Sequence, residues 1–314
     1  MGCQDKGQRT GTTLYSEVTD RIIAQLEAGT LPWVKPWDDG RVPLGLPRNG
    51  QSGRCYSGIN ILILWHTLFE RRFRSQRWVT YRQAVAMGGN VRKGERGTTV
   101  CYADKFIPKR DESQAGGSGE EPRPIAFLKR FTVFNLDQCE GLGEDGTSHP
   151  VTHNEAVIIP RAEALIEASG ADIRIGGDEA YYAPAFDHIV VPPPEIYFEP
   201  INWYRTALHE LGHWTGHPSR LDRLPKTSFG SPEYAREELV AEMSSAFLCA
   251  ELGIMPTARH ADYLGAWLCV LREDSKAIFR AASQASKAAD YLLNFLRPVE
   301  AAEQSMADER SVAA

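Results

Sequence analysis

From Thr13 to Ala28 the apolar positions Val18, Ile22, Ile23 and Leu26 fall on one side of a helical wheel, and Gly29 ends the run. A second helix is predicted over Gly58 to Phe73, around the almost continuously apolar Ile59-Asn-Ile-Leu-Ile-Leu-Trp65, and a third begins at Thr80. The period then shortens. Thr98 to Phe106 and Ile125 to Phe134 read as two strands, joined by a polar stretch at 111–124 expected to be a mobile loop. The segment Ala180 to Pro192 reads as a short strand, β-branched at Ile189 to Val191 and closed by three prolines.

Helical spacing returns in Ile201-Asn-Trp-Tyr-Arg-Thr-Ala-Leu208 and continues to His213, after which Gly216 and Pro218 stop the helix. Another helix starts after Ser231-Pro232, with Leu239, Met243, Ala246 and Phe247 as its buried stripe. Apolar faces near Tyr263 to Trp267, Ile278-Phe279 and Tyr291 to Leu296 supply two further helices, the last stopped by Pro298. The pattern is that of an α+β protein. It divides into a mixed helix and sheet front domain over 1–145, a second domain over 146–298, and a polar, disordered tail over 299–314.

Charge separates the halves. Residues 1–110 carry 18 Lys/Arg against 9 Asp/Glu, whereas residues 151–314 carry 14 against 24, although the whole chain of 314 residues has a net charge of −6. A basic front half fits a polyanion, and an acidic rear half argues against nucleic acid as the ligand there. Basic residues in the front are interleaved with rings, in Arg54-Cys-Tyr56, Arg71-Arg-Phe-Arg74, Arg77-Trp78 and Tyr81-Arg82, a mixture suited to single strands because cations track phosphates while rings stack on bases. Trp65, Phe69 and Trp78 are individually better read as core. The turn Gly88 to Gly97 lacks the Gly-Lys-Ser/Thr ending of a nucleotide loop, so its Arg92, Lys93 and Arg96 read as phosphate contacts, with Arg54 and Tyr56 beside them.

The absence of a run of ~18 apolar residues argues against a membrane span. The opening Met1-Gly-Cys-Gln-Asp-Lys carries no signal-peptide core, which leads us to expect a cytoplasmic protein. Its six cysteines show no paired spacing and are expected to be free thiols.

The sharpest chemical signal is His209-Glu210-Leu211-Gly212-His213. Two histidines four residues apart on a helix can share one divalent ion, most simply zinc with manganese as the alternative, and Glu210 between them stands where a general base is needed. Glu238 is expected to be the third ligand, with Glu242 one turn on as its hydrogen-bonding supporter, although the reverse assignment is open. His217 continues the histidine row but lies beyond the expected helix end. The strand near 180–192 would offer a peptide its free edge, with Tyr181 or Tyr182 as oxyanion donor. His188 reads as structural or exposed.

Tyr56-Ser-Gly-Ile-Asn60, Trp78-Val-Thr-Tyr-Arg-Gln-Ala84, Gly89-Asn-Val-Arg-Lys-Gly-Glu-Arg-Gly-Thr98, Val133-Phe-Asn-Leu-Asp-Gln-Cys139 and His209-Glu-Leu-Gly-His-Trp-Thr-Gly-His217 together resemble, in this order, the ArdC family of plasmid antirestriction proteins. The resemblance runs from about Tyr15 to Leu296. It implies an N-terminal single-stranded-DNA-binding domain joined to a C-terminal zincin-like metallopeptidase domain, and protection of incoming conjugative DNA from host restriction. A host protein would be the substrate. In the alternative, the chain is a non-catalytic shield on single-stranded DNA whose metal domain is a scaffold. Carried over, His209, His213 and Glu238 would be ligands and Glu210 the base, while Lys129 and Arg130 join the DNA-facing residues.

Overall fold

The computed structural model describes residues 13–34, 44–106, 125–142, 155–224, 230–257 and 263–297. The stretch expected to be a mobile loop, 111–124, and the expected tail, 299–314, lie outside the described residues.

In the front half, α1 (Leu14–Glu27) starts at Thr13 through a reciprocal cap with Ser16 and turns off at Gly29, which has φ 70. Helix α2 spans Ile59–Glu70, shorter than the predicted run to Phe73. Arg72 adopts φ 56 and reverses the chain, so that Phe73 folds back and donates its amide to Leu68 O at 2.9 Å. Helix α3 (Tyr81–Ala86) is opened by Thr80 and Gln83, which cap each other's backbone amides.

One four-stranded sheet has the order β1 (Arg48–Asn49), β2 (Arg77–Val79), β5 (Ile125–Asn135), β4 (Thr98–Phe106). The two strands expected here form, and β4 and β5 are antiparallel in continuous register from Thr98 opposite Val133 to Phe106 opposite Ile125. A second small pair joins β3 (Asn90–Val91) to β6 (Cys139–Glu140).

The rear half holds α4 (Glu155–Ser169), β7 (Asp172–Ile175), β8 (Tyr181–Ala183) and β9 (His188–Val191), then α5 (Ile201–Trp214), α6 (Pro232–Leu252), α7 (Leu264–Glu273) and α8 (Ala277–Leu293). The single strand expected over 180–192 is instead a hairpin, because Asp187 takes φ 51 and turns the chain. Its second arm, β9, lies in the middle of the sheet, parallel to β7 and antiparallel to β8, so it has no free edge. β7 and β8 are the edge strands of this sheet.

One apolar cluster connects α1 and α2 with α5, α6, α7 and α8. Trp33 meets Trp267 edge to face at 5.8 Å, and Trp65 meets Phe247 at 5.7 Å. Small residues at Ala281, Ala282, Ala285, Ala288 and Ala289 let α8 sit close in this core. Polar ties cross the same boundary. Glu251 accepts from the amide of Leu46 at 2.9 Å and from Arg48 Nη2 at 2.7 Å, and Ser286 Oγ accepts from the amide of Gly58 at 2.7 Å. Cys55, Cys101, Cys139 and Cys249 are free thiols, but Cys269 is disulfide-bonded, which corrects the expectation of six free thiols. Spacing along a chain is silent about pairs made by tertiary proximity.

Candidate metal centre and basic face

Two buried helices make the centre. In α5, residues 204–212 are all buried, and Gly212 is where α6 comes nearest. A β-carbon there would stand 2.5 Å from Ser244 Oγ and 3.3 Å from Ala241 Cα, so any larger residue must displace the Ser244 hydroxyl and press on α6. Helix α6 is started by Ser231, whose hydroxyl accepts from the Tyr234 amide at 3.1 Å, with Pro232 in its first turn and Gly253 at φ 80 closing it. Its first half carries Glu237 and Glu238 against α5.

His209, His213 and Glu238 offer three ligand atoms within 4.8 Å of one another. The two imidazole Nε2 atoms are 3.2 Å apart, His213 Nε2 is 3.4 Å from Glu238 Oε1, and His209 Nε2 is 3.6 Å from Glu238 Oε2. Ligands bound to zinc at ~2.0–2.2 Å in a tetrahedron stand about 3.3–3.6 Å apart, and each imidazole lies that far from one Glu238 oxygen, so the three side chains converge closely enough to share one ion. The donor set, two imidazoles and a carboxylate, is also the one a divalent cation of this kind takes.

Other sequence-derived candidates divide. Glu210 is buried beside the two histidines and makes no ion pair among the described residues. Glu242 is buried one turn beyond Glu238, but it lines a small cavity with Arg205, Ser245 and Cys249 and is not in the converging group. His217 lies past the end of α5 and pairs with Ser219 Oγ at 2.7 Å. His188 is buried in β9. Tyr182 is buried, and its hydroxyl donates to Asp187 Oδ1 at 2.8 Å while accepting from Arg220 at 3.2 Å. Tyr181 is 48% exposed on the edge strand β8.

The sequence reading missed Glu237, Arg223 and Tyr234. Glu237 Oε1 lies 3.2 Å from His213 Nδ1, the ring nitrogen opposite the ligand face. Arg223 grips both Glu237 oxygens, at 2.9 and 3.1 Å, and also donates to Thr215 Oγ1 at 2.7 Å and to the Gly212 carbonyl. Tyr234 is pushed well up by burial and by hydrogen bonds to Tyr263 and to Glu238. A doubled Glu-Glu on the helix after the motif was the available signal, since consecutive residues point ~100° apart and can hold two sides of one ring.

Burial alone would keep His213 neutral, but its hydrogen bonds to Glu237 and Glu238 outweigh that and raise it to about 10. Burial likewise resists ionisation of Glu238, and the hydrogen bonds from His209 and His213 more than offset it, holding the carboxyl far below its ordinary value.

On the basic face, Arg54, Lys93, Arg96 and Lys129 are exposed. Arg92 is exposed but tethered, to Glu95 at 2.8 Å and to the Asp137 carbonyl at 2.5 Å, and Arg130 pairs with Glu17 at 3.1 Å. Arg71 donates to the Arg96 carbonyl and the Arg74 amide donates to Asp137 at 2.5 Å, which brings the end of α2 and the 92–96 turn into one basic patch. Tyr56 is half-buried against the core beneath the sheet. Trp65 and Trp78 are wholly buried, as their individual reading indicated.

Residues 160–284 match the family described as zincin-like metallopeptidase, and residues 12–134 match the N-terminal domain of anti-restriction factor ArdC. Two Escherichia coli proteins named DNA primase TraC are 42% and 40% identical over 90% and 93% of this chain, but the chain spans only 27% and 20% of their length. Uncharacterized protein y4eC of Sinorhizobium fredii is 39% identical over 92% of this chain and 94% of its own. Among solved structures, the metal-free antirestriction ArdC protein from plasmid R388 has a TM-score of 0.75 at 43% identity, covering 90% of this chain and 98% of that one. Its Mn(II)-bound form has a TM-score of 0.73 at 42% identity, covering 91% and 99%. No helix among the described residues is long and apolar enough to cross a membrane.

Proposed function

Since the chain belongs to the ArdC antirestriction family, we propose that it is a cytoplasmic protein that binds single-stranded DNA through its basic front half and hydrolyses a protein at a divalent-metal centre in its rear half, protecting incoming conjugative DNA from restriction. The functional division falls near residue 145, between the two matched stretches. The single observation that carries the hydrolytic reading is the convergence of His209, His213 and Glu238 with Glu210 buried beside them.

His209, His213 and Glu238 would hold one cation, zinc or manganese, which supplies Lewis acidity and lowers the pKa of water. Glu210 takes the proton of the attacking water on its carboxylate and passes it to the leaving amine. Glu237, backed by Arg223, accepts from His213 Nδ1–H and so fixes the tautomer that leaves Nε2 as a lone-pair donor. The exposed edge of β8 is the strand a peptide substrate can pair with, and Tyr181 on it is the oxyanion donor better placed than Tyr182, whose hydroxyl Asp187 and Arg220 already hold. Arg54, Lys93 and Arg96 contact DNA phosphates, with Arg92, Lys129 and Arg130 joining once their partners within the chain yield.

A second reading is favoured by the continuous core. Because α6 carries Glu238 and is packed against elements of both halves, a cation there would brace the whole fold, and the protein could shield DNA without cutting anything. Incubation of the zinc- or manganese-loaded protein with a peptide library, beside binding of single and double strands over a salt series, tests both functions. Cleavage together with a single-strand preference supports the proposal, and binding without cleavage selects the shield.

A further inference from the structure

In the front half most rings that the sequence interleaves with basic residues turn inward, and Tyr81, 53% exposed, is the one that does not. Two rings absent from that sequence reading are exposed as a pair: Tyr102 on β4 is 60% exposed and Phe131 on β5 is 47% exposed. In the antiparallel register Tyr102 faces Lys129 and Val100 faces Phe131, so the two rings are diagonal neighbours on one face of the sheet. They touch edge to face, 6.2 Å between centroids at 88°. The same face is covered at Val100 and Val133, which are buried with Leu64 and Leu68 of α2.

The covering stops where α2 begins. Asn60, in its first turn, donates to Cys101 O at 2.7 Å and accepts from Cys101 N at 2.8 Å, which fixes β4 just before Tyr102. Beyond that clamp the face carries the ring pair and, across from Tyr102, the exposed Lys129. Exposed rings that hold each other crosswise keep open π faces, and a cation at their border favours an anionic, planar partner. Charge over the front half points the same way, since basic residues outnumber acidic ones two to one over 1–110.

We infer that Tyr102 and Phe131 form a base-stacking platform for single-stranded nucleic acid on the outer face of the β4–β5 hairpin. The inference rests on the single-strand reading above and adds the site where bases, as distinct from phosphates, are engaged. The basic patch around Arg96 supplies phosphate contacts, and the platform supplies the preference for unpaired bases.

The test measures fluorescence anisotropy of the full chain with a labelled oligodeoxythymidylate and with an abasic oligonucleotide of the same length at fixed salt. The wild type should bind the base-bearing strand more tightly. Tyr102→Ala and Phe131→Ala should each weaken that binding by about 5- to 150-fold and leave abasic binding unchanged, because stacking contributes ~1–3 kcal/mol per base. Phe131→Trp should keep it, which controls for folding. Alanine variants that retain the wild-type preference would overturn the platform and leave the DNA reading standing. A dimer lost in these variants while their affinity for thymidylate is unchanged would assign the face to a second copy and overturn it as well. A wild type that binds neither oligonucleotide would remove the single-strand reading itself.

Discussion

Glu237 Oε1 lies 3.2 Å from Nδ1 of His213, so the ring that faces Glu238 with one nitrogen is held by Glu237 through the other. Arg223 fixes that carboxylate through both oxygens, with side chains of Arg223 and Glu237 each under a tenth exposed. Loss of such an outer partner costs ~10–100-fold in metal affinity. Glu237→Gln is therefore expected to weaken zinc binding by about that factor with the fold intact, as read by competition with a chromogenic chelator. Affinity equal to wild type would show that the contact does not tune the centre.

The ligand assignment can be separated by stability. A cation that binds only the folded state adds ~2.7 kcal/mol at a hundred times its Kd, enough to move a melting temperature by several degrees. Glu238→Ala should lose this metal-dependent rise, whereas Glu242→Ala, whose side chain lines a different cavity, should keep it. A rise lost in the Glu242 variant and kept in the Glu238 variant would exchange their roles.

Removing the base should leave everything else in place. Glu210→Ala should bind metal and DNA as the wild type does while any peptide cleavage falls by ~10²–10⁴-fold, the usual contribution of a positioned acid or base. Cells expressing this variant decide the biological question. Restriction of incoming DNA despite its presence would require catalysis, and continued protection would favour the shield.

Protons and the cation compete for His213. Its folded value is raised, to about 10, so the stabilisation from its contacts with Glu237 and Glu238 is full below its ordinary ~6.5 and fades as pH rises through about 10. Glu238 runs the opposite way: its depressed value gives stability that is full above an ordinary ~4.3 and is lost as pH falls. Metal-free protein should accordingly have its highest denaturation midpoint between those ordinary values, declining on either side. Metal loading near pH ~8 should release a proton, visible as a binding heat that changes with the ionisation enthalpy of the buffer. Heat independent of buffer would mean that His213 is already neutral there.

Gly212→Ala should damage the centre from behind. Its β-carbon would meet Ser244 Oγ at 2.5 Å, and separating α5 from α6 moves the histidines away from Glu238. Overpacking of this kind costs ~1–3 kcal/mol, so a lower melting temperature together with weaker metal binding is expected. The double variant with Ser244→Ala should recover part of both, and no recovery would place the cause elsewhere.

The helices of the rear half and the β4–β5 hairpin were legible because long periodic runs end on chemically marked caps: Thr13, Thr80 and Ser231 each start the helix they were expected to start. Helix α4 was not assigned, since Pro160 inside it reads as a stop. Strands of two or three residues, such as β1, β3 and β6, are too short to show a period. At the centre, the motif histidines and Glu238 converge as their spacing indicated. Glu237 was not legible because a supporting acid is expected one turn along the same helix face, and the partner came from the adjacent residue. Tyr102 and Phe131 escaped for a related reason. Val100 and Tyr102 occupy equivalent alternate positions, and only the place where α2 begins decides which of them meets water.

The grip of Glu251 on Leu46 and Arg48 also bears on how this protein can be cut apart. Glu251 lies on the same helix as Glu238, so a fragment lacking the front segment would lose the partners of that carboxylate and bare Phe247, which now packs on Trp65. Dissection of this chain at a boundary drawn from its charge alone should yield sticky, poorly expressed pieces. Lesions by point substitution are the sound way to ask what each half does.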